Sequence, residues 1–192
     1  IARMLAGEIS PSGRLPISIE ARPEDNPAYD NYYVEEPMTK RGHSTLNVTY
    51  GEGIFVGYRG YEKKGVSPLY PFGHGLTYTS FEYSDLMVSR NGDGVDVTLT
   101  VTNTGNFDAA EVVQIYVGED NPCVARPAKE LKGYDKVFIP KGESAVVTVR
   151  LPRSAFAFYD VDIHDWRINP GSFTIMVGAS SQDIKLKEHI IL

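Results

Sequence analysis

The sequence has little of several features that identify common classes of protein. Its single cysteine, Cys123, cannot form an intrachain disulfide, and a cluster of thiolate ligands for a metal is excluded. Basic residues number 19 against 25 acidic ones, and the net charge of −6 disfavours a nucleic-acid-binding surface. No apolar run approaches the roughly 20 residues that span a bilayer. We therefore expect no disulfide scaffold, no nucleic-acid partner and no membrane span, while an extracellular and a cytoplasmic location both stay open.

The remaining composition is that of an ordinary globular protein. Hydrophobic residues make up 42% of the 192 positions and charged residues 23%, which argues against a disordered chain. This length allows one domain or two small ones. The character of the sequence changes near residue 81, and we therefore predict two units, 1–80 and 81–192.

Residues 1–20 have the pattern of the end of a layered α/β domain. Ile1–Gly7 matches the last turns of an amphipathic helix, with Gly7 at the usual stop position. Pro11–Gly13 supplies a turn, and the apolar run Leu15–Ile19 predicts a strand that adds to a sheet begun upstream. Because a natural chain seldom begins within a helix, we predict a fragment, a proteolytic product or a separate subunit.

The segment that follows predicts a loop and then a joint between the two units. Residues 21–49 are polar and interrupted by proline, so we expect an irregular loop that covers a surface. Tyr50–Tyr83 combines many aromatic residues with glycine and proline, which predicts an ordered, partly buried segment that fixes the units together. Asn47–Thr49 is an N-glycosylation sequon, a triplet that also occurs often by chance.

Short alternating segments with turns between them predict a β-sandwich over residues 81–192. Alternation with a period of two places the apolar side chains of each strand on one face. The segment has neither the cysteine pair of a true immunoglobulin domain nor a long helical pattern. We predict strands at 95–102, 111–117, 144–151, 172–178 and 184–187, with turns at 103–106, 140–143 and 169–171.

Several ordered motifs stand out in both predicted units. The first unit contains Pro-Ser-Gly-Arg-Leu-Pro at 11–16, Tyr-Gly-Glu-Gly-Ile-Phe-Val-Gly-Tyr-Arg at 50–59 and Pro-Phe-Gly-His-Gly-Leu-Thr-Tyr-Thr-Ser-Phe at 71–81. Together they closely resemble the C-terminal part of glycoside hydrolase family 3, especially fungal-type β-glucosidases. The second unit looks like the fibronectin type III-like domain of that family, through segments 101–105, 110–117, 126–134 and 170–174.

The resemblance implies an architecture and a chemistry. Family members have a (β/α)8-like barrel, a six-stranded α/β sandwich and a fibronectin-like module, and they are retaining glycosidases. An Asp on the barrel is the nucleophile and a Glu on the α/β sandwich is usually the general acid/base, about 5–5.5 Å apart. For this chain the resemblance implies a mostly β fold: a C-terminal fibronectin type III-like (immunoglobulin-like) β-sandwich preceded by the tail of an α/β sandwich domain.

Neither family segment that carries a catalytic carboxylate matches this sequence. We therefore assign no catalytic, substrate-binding or metal-binding residue to the chain, expect no cofactor, and predict that the chain alone is inactive. The expected partner is an upstream segment or separate chain carrying the (β/α)8 barrel and the rest of the α/β sandwich. A β-glucoside or oligosaccharide substrate is expected to bind through that partner.

Two sites in the joint invite a functional interpretation. Glu52 and Arg59 could bind sugar, but we favour a partly buried ion pair that holds the joint. His74 lies between two glycines, and no nucleophile motif lies near it in the sequence. We therefore interpret His74 as a hydrogen-bonded residue of a tight turn rather than as a catalytic imidazole.

Two clusters outside the joint also allow both a functional and a structural interpretation. Asp160, Asp162, His164 and Asp165 match no known metal-ligand spacing, and with Trp166 they predict a solvated hairpin tip. A second cluster, of tyrosines, could stack on a sugar at an active-site rim, although we favour packing; it comprises Tyr29, Tyr32 and Tyr33.

The charged segment Arg126–Tyr134 is predicted to be a loop between two sandwich strands. Its charges could simply be exposed to solvent. The family resemblance instead favours a loop that docks onto the catalytic domains.

Two hypotheses for function follow. In the first, the chain is the C-terminal part of a retaining β-glucosidase that removes terminal non-reducing β-D-glucosyl residues, and it completes and braces the catalytic domains. In the alternative, it is a non-catalytic fibronectin-like module that binds carbohydrate or protein by itself. The match to two consecutive domains favours the first, whereas the second requires a row of exposed aromatic side chains on the sandwich.

Overall fold

The N-terminal helix ends where the sequence predicts. The structure, a computed structural model, describes residues 1–32, 38–40, 43–45 and 49–192. Helix α1 spans Ala2–Leu5, and Gly7 follows it with a φ of 75°, a conformation that glycine adopts without steric cost. The Glu8 N–H donates to the Arg3 carbonyl at 2.9 Å, closing the Schellman motif that satisfies the last carbonyls of a helix.

The predicted strand Leu15–Ile19 does not form, which corrects the sequence-based expectation. Ile19 makes a single antiparallel bridge with Tyr70. Leu15 exchanges backbone hydrogen bonds of 2.8 Å with Gly73 and His74. Pro16 lies between these two contacts and has no N–H to donate, so a continuous ladder is interrupted.

The segment 21–49 contains more regular structure than predicted. A 3₁₀ turn spans Pro23–Asp25, and helix α2 spans Tyr29–Tyr32. Strand β1 (Met38–Lys40) pairs antiparallel with strand β2 (His43–Thr45). The first two residues of the sequon, Asn47 and Val48, and the predicted packing residue Tyr33 lie outside the described residues.

The joint contains a helix that the sequence did not predict. Helix α3 spans Tyr58–Lys64 and ends at Gly65, which has a left-handed φ of 66°. Lys63 and Lys64 occupy its last turn, where positive charge interacts favourably with the helix dipole. In the part of the chain that the structure describes, no helix is long and apolar enough to cross a membrane.

Two antiparallel sheets form the sandwich. One has the strand order β11-β10-β5-β6 and the other the order β3-β4-β7, while β8 and β9 form a separate hairpin. Their bounds are β3 Phe81–Asn91, β4 Gly94–Asn103, β5 Ala109–Glu119, β6 Glu130–Ile139, β7 Ser144–Leu151, β8 Phe158–Asp160, β9 Asp165–Arg167, β10 Ser172–Gly178 and β11 Ile184–Ile191. The fold is therefore mostly β, as predicted.

Period-two alternation explains how the sheets pack. In β4, Val97 and Leu99 face the core and lie opposite Val149 and Val147 of β7. In the other sheet, Ile175 of β10 is fully buried in the same core. Burying one such side chain contributes about 1.5–3 kcal/mol, so the sandwich supplies most of the stability of the chain.

All five predicted strands are present, and the bounds of β7 and β10 match to the residue. Strands β3 and β6 were not predicted. The interpretation of 126–134 as a loop is wrong from Glu130 onward, because β6 begins there.

Candidate functional site

A buried ion pair joins residues 1–80 to the sandwich. Nη2 of Arg14 donates to both carboxylate oxygens of Glu111 in β5, at 2.8 and 2.7 Å. The Tyr83 hydroxyl donates to the same carboxylate at 2.9 Å. Burial and the nearby Glu111 charge raise the pKa of Tyr83 well above its ordinary value, so the hydroxyl stays protonated and keeps donating.

Sequence reasoning missed this pair, although β5 carried a signal for it. The strand alternation places Glu111 on the same face as Val113 and Ile115, which are fully buried. A carboxylate in that position requires a buried cation or several donors, since an unpaired buried charge is very costly. Only the fold shows that the cation is Arg14, 97 positions away.

Gln114 of β5 is a second point of attachment. Its amide nitrogen donates to the carbonyls of Gly73 at 3.1 Å and Ala179 at 2.7 Å. Its amide oxygen accepts the Tyr116 hydroxyl at 2.6 Å. The buried side chain thus connects the joint, β5 and the end of β10.

Aromatic side chains of the joint cover Tyr116. The Tyr58 ring stacks on Phe72, with centroids 4.9 Å apart, and contacts Tyr116 edge-on at 6.0 Å. The Tyr58 hydroxyl accepts the N–H of Leu131 in β6 at 2.9 Å. Burial raises the pKa of Tyr116 above its ordinary value, as expected for a phenol removed from water.

Charged residues tie α3 to the start of β6. Nη2 of Arg59 lies 3.5 Å from Oε1 of Glu130, and Nη2 of Arg126 lies 3.0 Å from Oε2 of Glu130. Arg126 also contacts Glu119 at 2.7 Å. Burial alone would raise the pKa of Glu130, but the hydrogen bond from Arg126 and the nearby cations outweigh it and lower that pKa.

Lys129 and Glu62 form another ion pair at this boundary. Burial lowers the pKa of Lys129 to about 8, which still leaves the ammonium mostly charged at neutral pH. Charged residues of the segment Arg126–Tyr134 therefore form ion pairs with residues of α3. Docking onto catalytic domains outside this chain stays a prediction.

The predicted ion pair between Glu52 and Arg59 does not form. Arg59 binds Glu130, and Glu52 instead accepts a hydrogen bond from the amide of Asn31. The reason is geometric: Arg59 lies in the first turn of α3, which faces β6.

His74 lies in a tight turn, as predicted. Its N–H donates to the Pro71 carbonyl at 3.0 Å, and its own carbonyl accepts the Leu15 N–H at 2.8 Å. The ring lies 5.3 Å from that of Tyr70. The hydrogen bonds of His74 that hold this turn come from its backbone.

The acidic hairpin tip is also confirmed. Asp160 pairs with Asp165 across β8 and β9, and the Arg167 guanidinium contacts the Asp160 carboxylate at 2.9 Å. Across the described ranges, no group of three or more His, Cys, Asp or Glu residues is arranged to hold a metal ion. Of the tyrosine cluster, Tyr29 is half-buried in α2, and its favoured role in packing stays a prediction.

Residues 1–80 also present an apolar groove. Its volume is about 620 Å³, and its lining includes Met4, Leu15, Ile19, Tyr70 and Leu76. Leu76 is 71% exposed. Soluble domains rarely leave contiguous apolar surface open without a partner.

Sequence models of two families match the chain. The glycosyl hydrolase family 3 C-terminal domain matches residues 1–58, and the fibronectin type III-like domain matches residues 111–181. The match of the first model ends within the joint, at the first residue of α3.

Known proteins are similar over almost the whole chain. A probable β-glucosidase K of Emericella nidulans is 48% identical over 97% of the chain and 21% of its own length. An exo-α-(1→6)-L-arabinopyranosidase of Bifidobacterium breve is 44% identical over 96% of the chain and 23% of its own length. The crystal structure of a GH3 β-glucosidase from Bifidobacterium adolescentis superposes with a TM-score of 0.88 at 42% identity, covering 100% of the chain and 27% of that structure.

The chain thus spans about a quarter of the length of these relatives. The two matched families occur in the order that the sequence motifs predicted. The chain corresponds to the C-terminal region of glycoside hydrolase family 3 proteins, in which the end of the family's C-terminal domain is followed by a fibronectin type III-like domain.

Proposed function

We propose that this chain is the C-terminal part of a retaining β-glucosidase, and that it completes and braces the catalytic domains without supplying a catalytic carboxylate. The observation that carries the proposal is the open apolar groove of residues 1–80, beside a sandwich that is closed on itself. The apolar side chains that line the groove are not covered by any other described part of the chain, as expected for one wall of a larger core. The chain also spans only 21–27% of its relatives' length.

We propose further that residues 1–80 and 81–192 act as two structural units with one rigid joint. The Arg14–Glu111 pair, the Gln114 hydrogen bonds and the charges around Glu130 support this division of labour. Rigid support matters for catalysis, because a group misplaced by about 1 Å can cost on the order of 100-fold in rate. The missing catalytic domains are supplied either by the same polypeptide or by a separate chain.

The proposed substrate is a terminal β-D-glucosyl residue, and the identity of the sugar can be tested directly. The names of the relatives include both a β-glucosidase and an arabinopyranosidase. We assign no substrate-binding residue to this chain, so we expect the sugar to be selected by surfaces outside it.

The test is to join this chain to the upstream part of the Bifidobacterium adolescentis enzyme, in place of that enzyme's own C-terminal region. Release of p-nitrophenol from the β-glucoside and from the α-L-arabinopyranoside is then measured. We expect hydrolysis by this completed protein and none by the chain alone or by the truncated relative. Activity of the chain alone would show that the carboxylates are here. A completed protein that unfolds cooperatively but hydrolyses neither substrate would contradict the proposal.

A further inference from the structure

The outer face of the sheet that contains β5 and β6 is covered over only part of its area. The register pairs Gln114 with Tyr134, and Ala110 with Phe138. Strand alternation therefore places Tyr134 and Phe138 on the same outer face as Gln114. Gln114 is buried beneath the joint, whereas Tyr134 is 68% and Phe138 63% exposed.

A third exposed ring, that of Phe107, lies near the far end of β6. The side-chain amide of Asn103 donates to the carbonyls of both Phe107 and Ile139, which fixes Phe107 beside the end of that strand. The Phe107 ring is 44% exposed and lies 6.0 Å from Tyr78, whose hydroxyl donates to the Met4 carbonyl. We call Phe107, Tyr134 and Phe138 the aromatic face.

Residues 1–80 border the aromatic face at both ends. At one end Tyr58 binds the N–H of Leu131, on the same strand as Tyr134. At the other end Tyr78 contacts Phe107. The aromatic face is therefore the open continuation of an interface that already exists in this chain.

The opposite sheet shows how this protein builds a face that meets water. There, outward positions of β4 and β7 carry hydroxyl groups that bond across the strands, with Thr98 and Thr148 at 3.0 Å and Thr102 and Ser144 at 2.8 Å. Exposed apolar side chains on that face include Val146 of β7 and Met87 of β3, neither of which is aromatic. Each ring of the aromatic face, by contrast, offers a large apolar area for contact.

We propose that the aromatic face docks directly onto the part of the full-length glycosidase that lies outside this chain. The proposal rests on the proposed function, and it names a second contact besides the apolar groove. Two observations select this occupant: the continuity with the existing interface, and the relatives' length, of which the chain spans 21–27%. We expect the surface that meets these rings to be apolar.

The first experiment measures hydroxyl-radical oxidation of individual residues by mass spectrometry. It compares this chain alone with the completed protein described above. Tyr134 and Phe138 are expected to oxidise several-fold more slowly in the completed protein. Trp166 of β9 is the matched internal control, since it is 65% exposed and lies in the separate β8–β9 hairpin. Equal oxidation of Tyr134 in both proteins would overturn the proposal.

The second experiment replaces the aromatic face with charge. The double variant Tyr134→Lys/Phe138→Lys is expected to lower the Tm of the completed protein by several degrees and to leave that of the chain alone nearly unchanged. Trp166→Lys is the matched control; because the Trp166 ring packs edge-on against Tyr159, any loss of Tm is expected to be the same in the chain alone and in the completed protein. An equal loss of Tm in the chain alone, or no loss in the completed protein, would refute docking.

Other occupants give distinct results. If the chain alone binds insoluble β-glucan and the double variant does not, the face binds polysaccharide and the proposal is wrong. If the chain alone sediments as a dimer and the double variant as a monomer, the occupant is a second copy, which also refutes it. Failure of the proposed function would appear separately, as an inactive wild-type completed protein.

Discussion

The sandwich buries many of its apolar side chains, whereas residues 1–80 leave most of theirs exposed. In the sandwich, residues such as Val97, Ile115 and Phe173 are fully buried between two sheets. Among the described residues of 1–80, Tyr61 is the one large apolar side chain that is buried, while Leu5 is 81% exposed. One region therefore closes its own core, and the other contributes one wall of a core whose remaining walls lie elsewhere.

Separating the two regions should produce the largest effect. We expect residues 81–192 expressed alone to unfold cooperatively, because their core needs no side chain from residues 1–80. Residues 1–80 alone should show no cooperative transition, since they bury too little apolar area to offset chain entropy. Thermal unfolding followed by circular dichroism checks both. A cooperative transition in 1–80 would show that this region is a domain in its own right.

Breaking the buried pair that joins the regions should come next. Glu111→Ala leaves Arg14 without its carboxylate in a buried site, and we expect a loss of about 3–5 kcal/mol in the free energy of unfolding. Urea unfolding of the whole chain measures it. Asp93→Ala removes an exposed carboxylate near Arg150 and is the matched control, for which little change is expected. Similar losses for both variants would contradict a special role for the Arg14–Glu111 pair.

Two glycine substitutions distinguish backbone strain from steric overlap at the contact between Gly73 and Gln114. Gly73→Ala would drive a Cβ into the Gln114 amide oxygen at a φ of 82°, so strain and overpacking of about 1–3 kcal/mol each should add. Gly142→Ala has a similar φ of 76° but no atom within 4 Å of the new Cβ.

The difference between these two alanine variants therefore isolates the contact with Gln114. Urea unfolding midpoints of both give the answer. Equal midpoints would mean that the backbone around Gly73 yields easily.

The smallest expected effect lies within the sandwich and depends on pH. Hydrogen bonds from Ser172 and Thr174 lower the pKa of Asp120 from its ordinary value of 3.8. The folded state therefore binds this proton less readily than the unfolded chain does. Its stabilising contribution is complete above that value and is lost as the pH falls through the lowered pKa.

Asp120→Asn should consequently be less stable than the wild type at pH 6, with the gap closing in acid below about pH 4. Thermal unfolding at a series of pH values tests this. A gap that stays constant down to pH 2 would show that the Asp120 charge does not contribute.

The sequence predicted those parts of the fold that depend on local patterns. In strand β7 every second residue from Ala145 to Leu151 is apolar, and the bounds of the strand were predicted to the residue. Strand β6 was missed because Gly133 and Asp135 interrupt its alternation. Helix α3 was missed because glycines lie before, within and after it, and glycine weakens a helical pattern.

The joint depended on partners that lie far apart in the sequence. Proximity along the chain suggested that Arg59 pairs with Glu52, yet its partner is Glu130, on a distant strand. The same holds for Arg14 and Glu111. The partner of each charged residue depends on which strand packs against which segment. The sequence around a single residue does not contain that information.

The Gln114 amide, which bonds to both Gly73 and Ala179, has a consequence for the order of folding. The ribosome makes residue 73 well before residue 179, but the pocket that receives it exists only after β5 and β10 have paired. The segment around Gly73 therefore cannot be anchored through Gln114 until the strands of the sandwich have been synthesised. Contacts of such long sequence separation form late in folding, so we expect this attachment to be among the last parts of the chain to form.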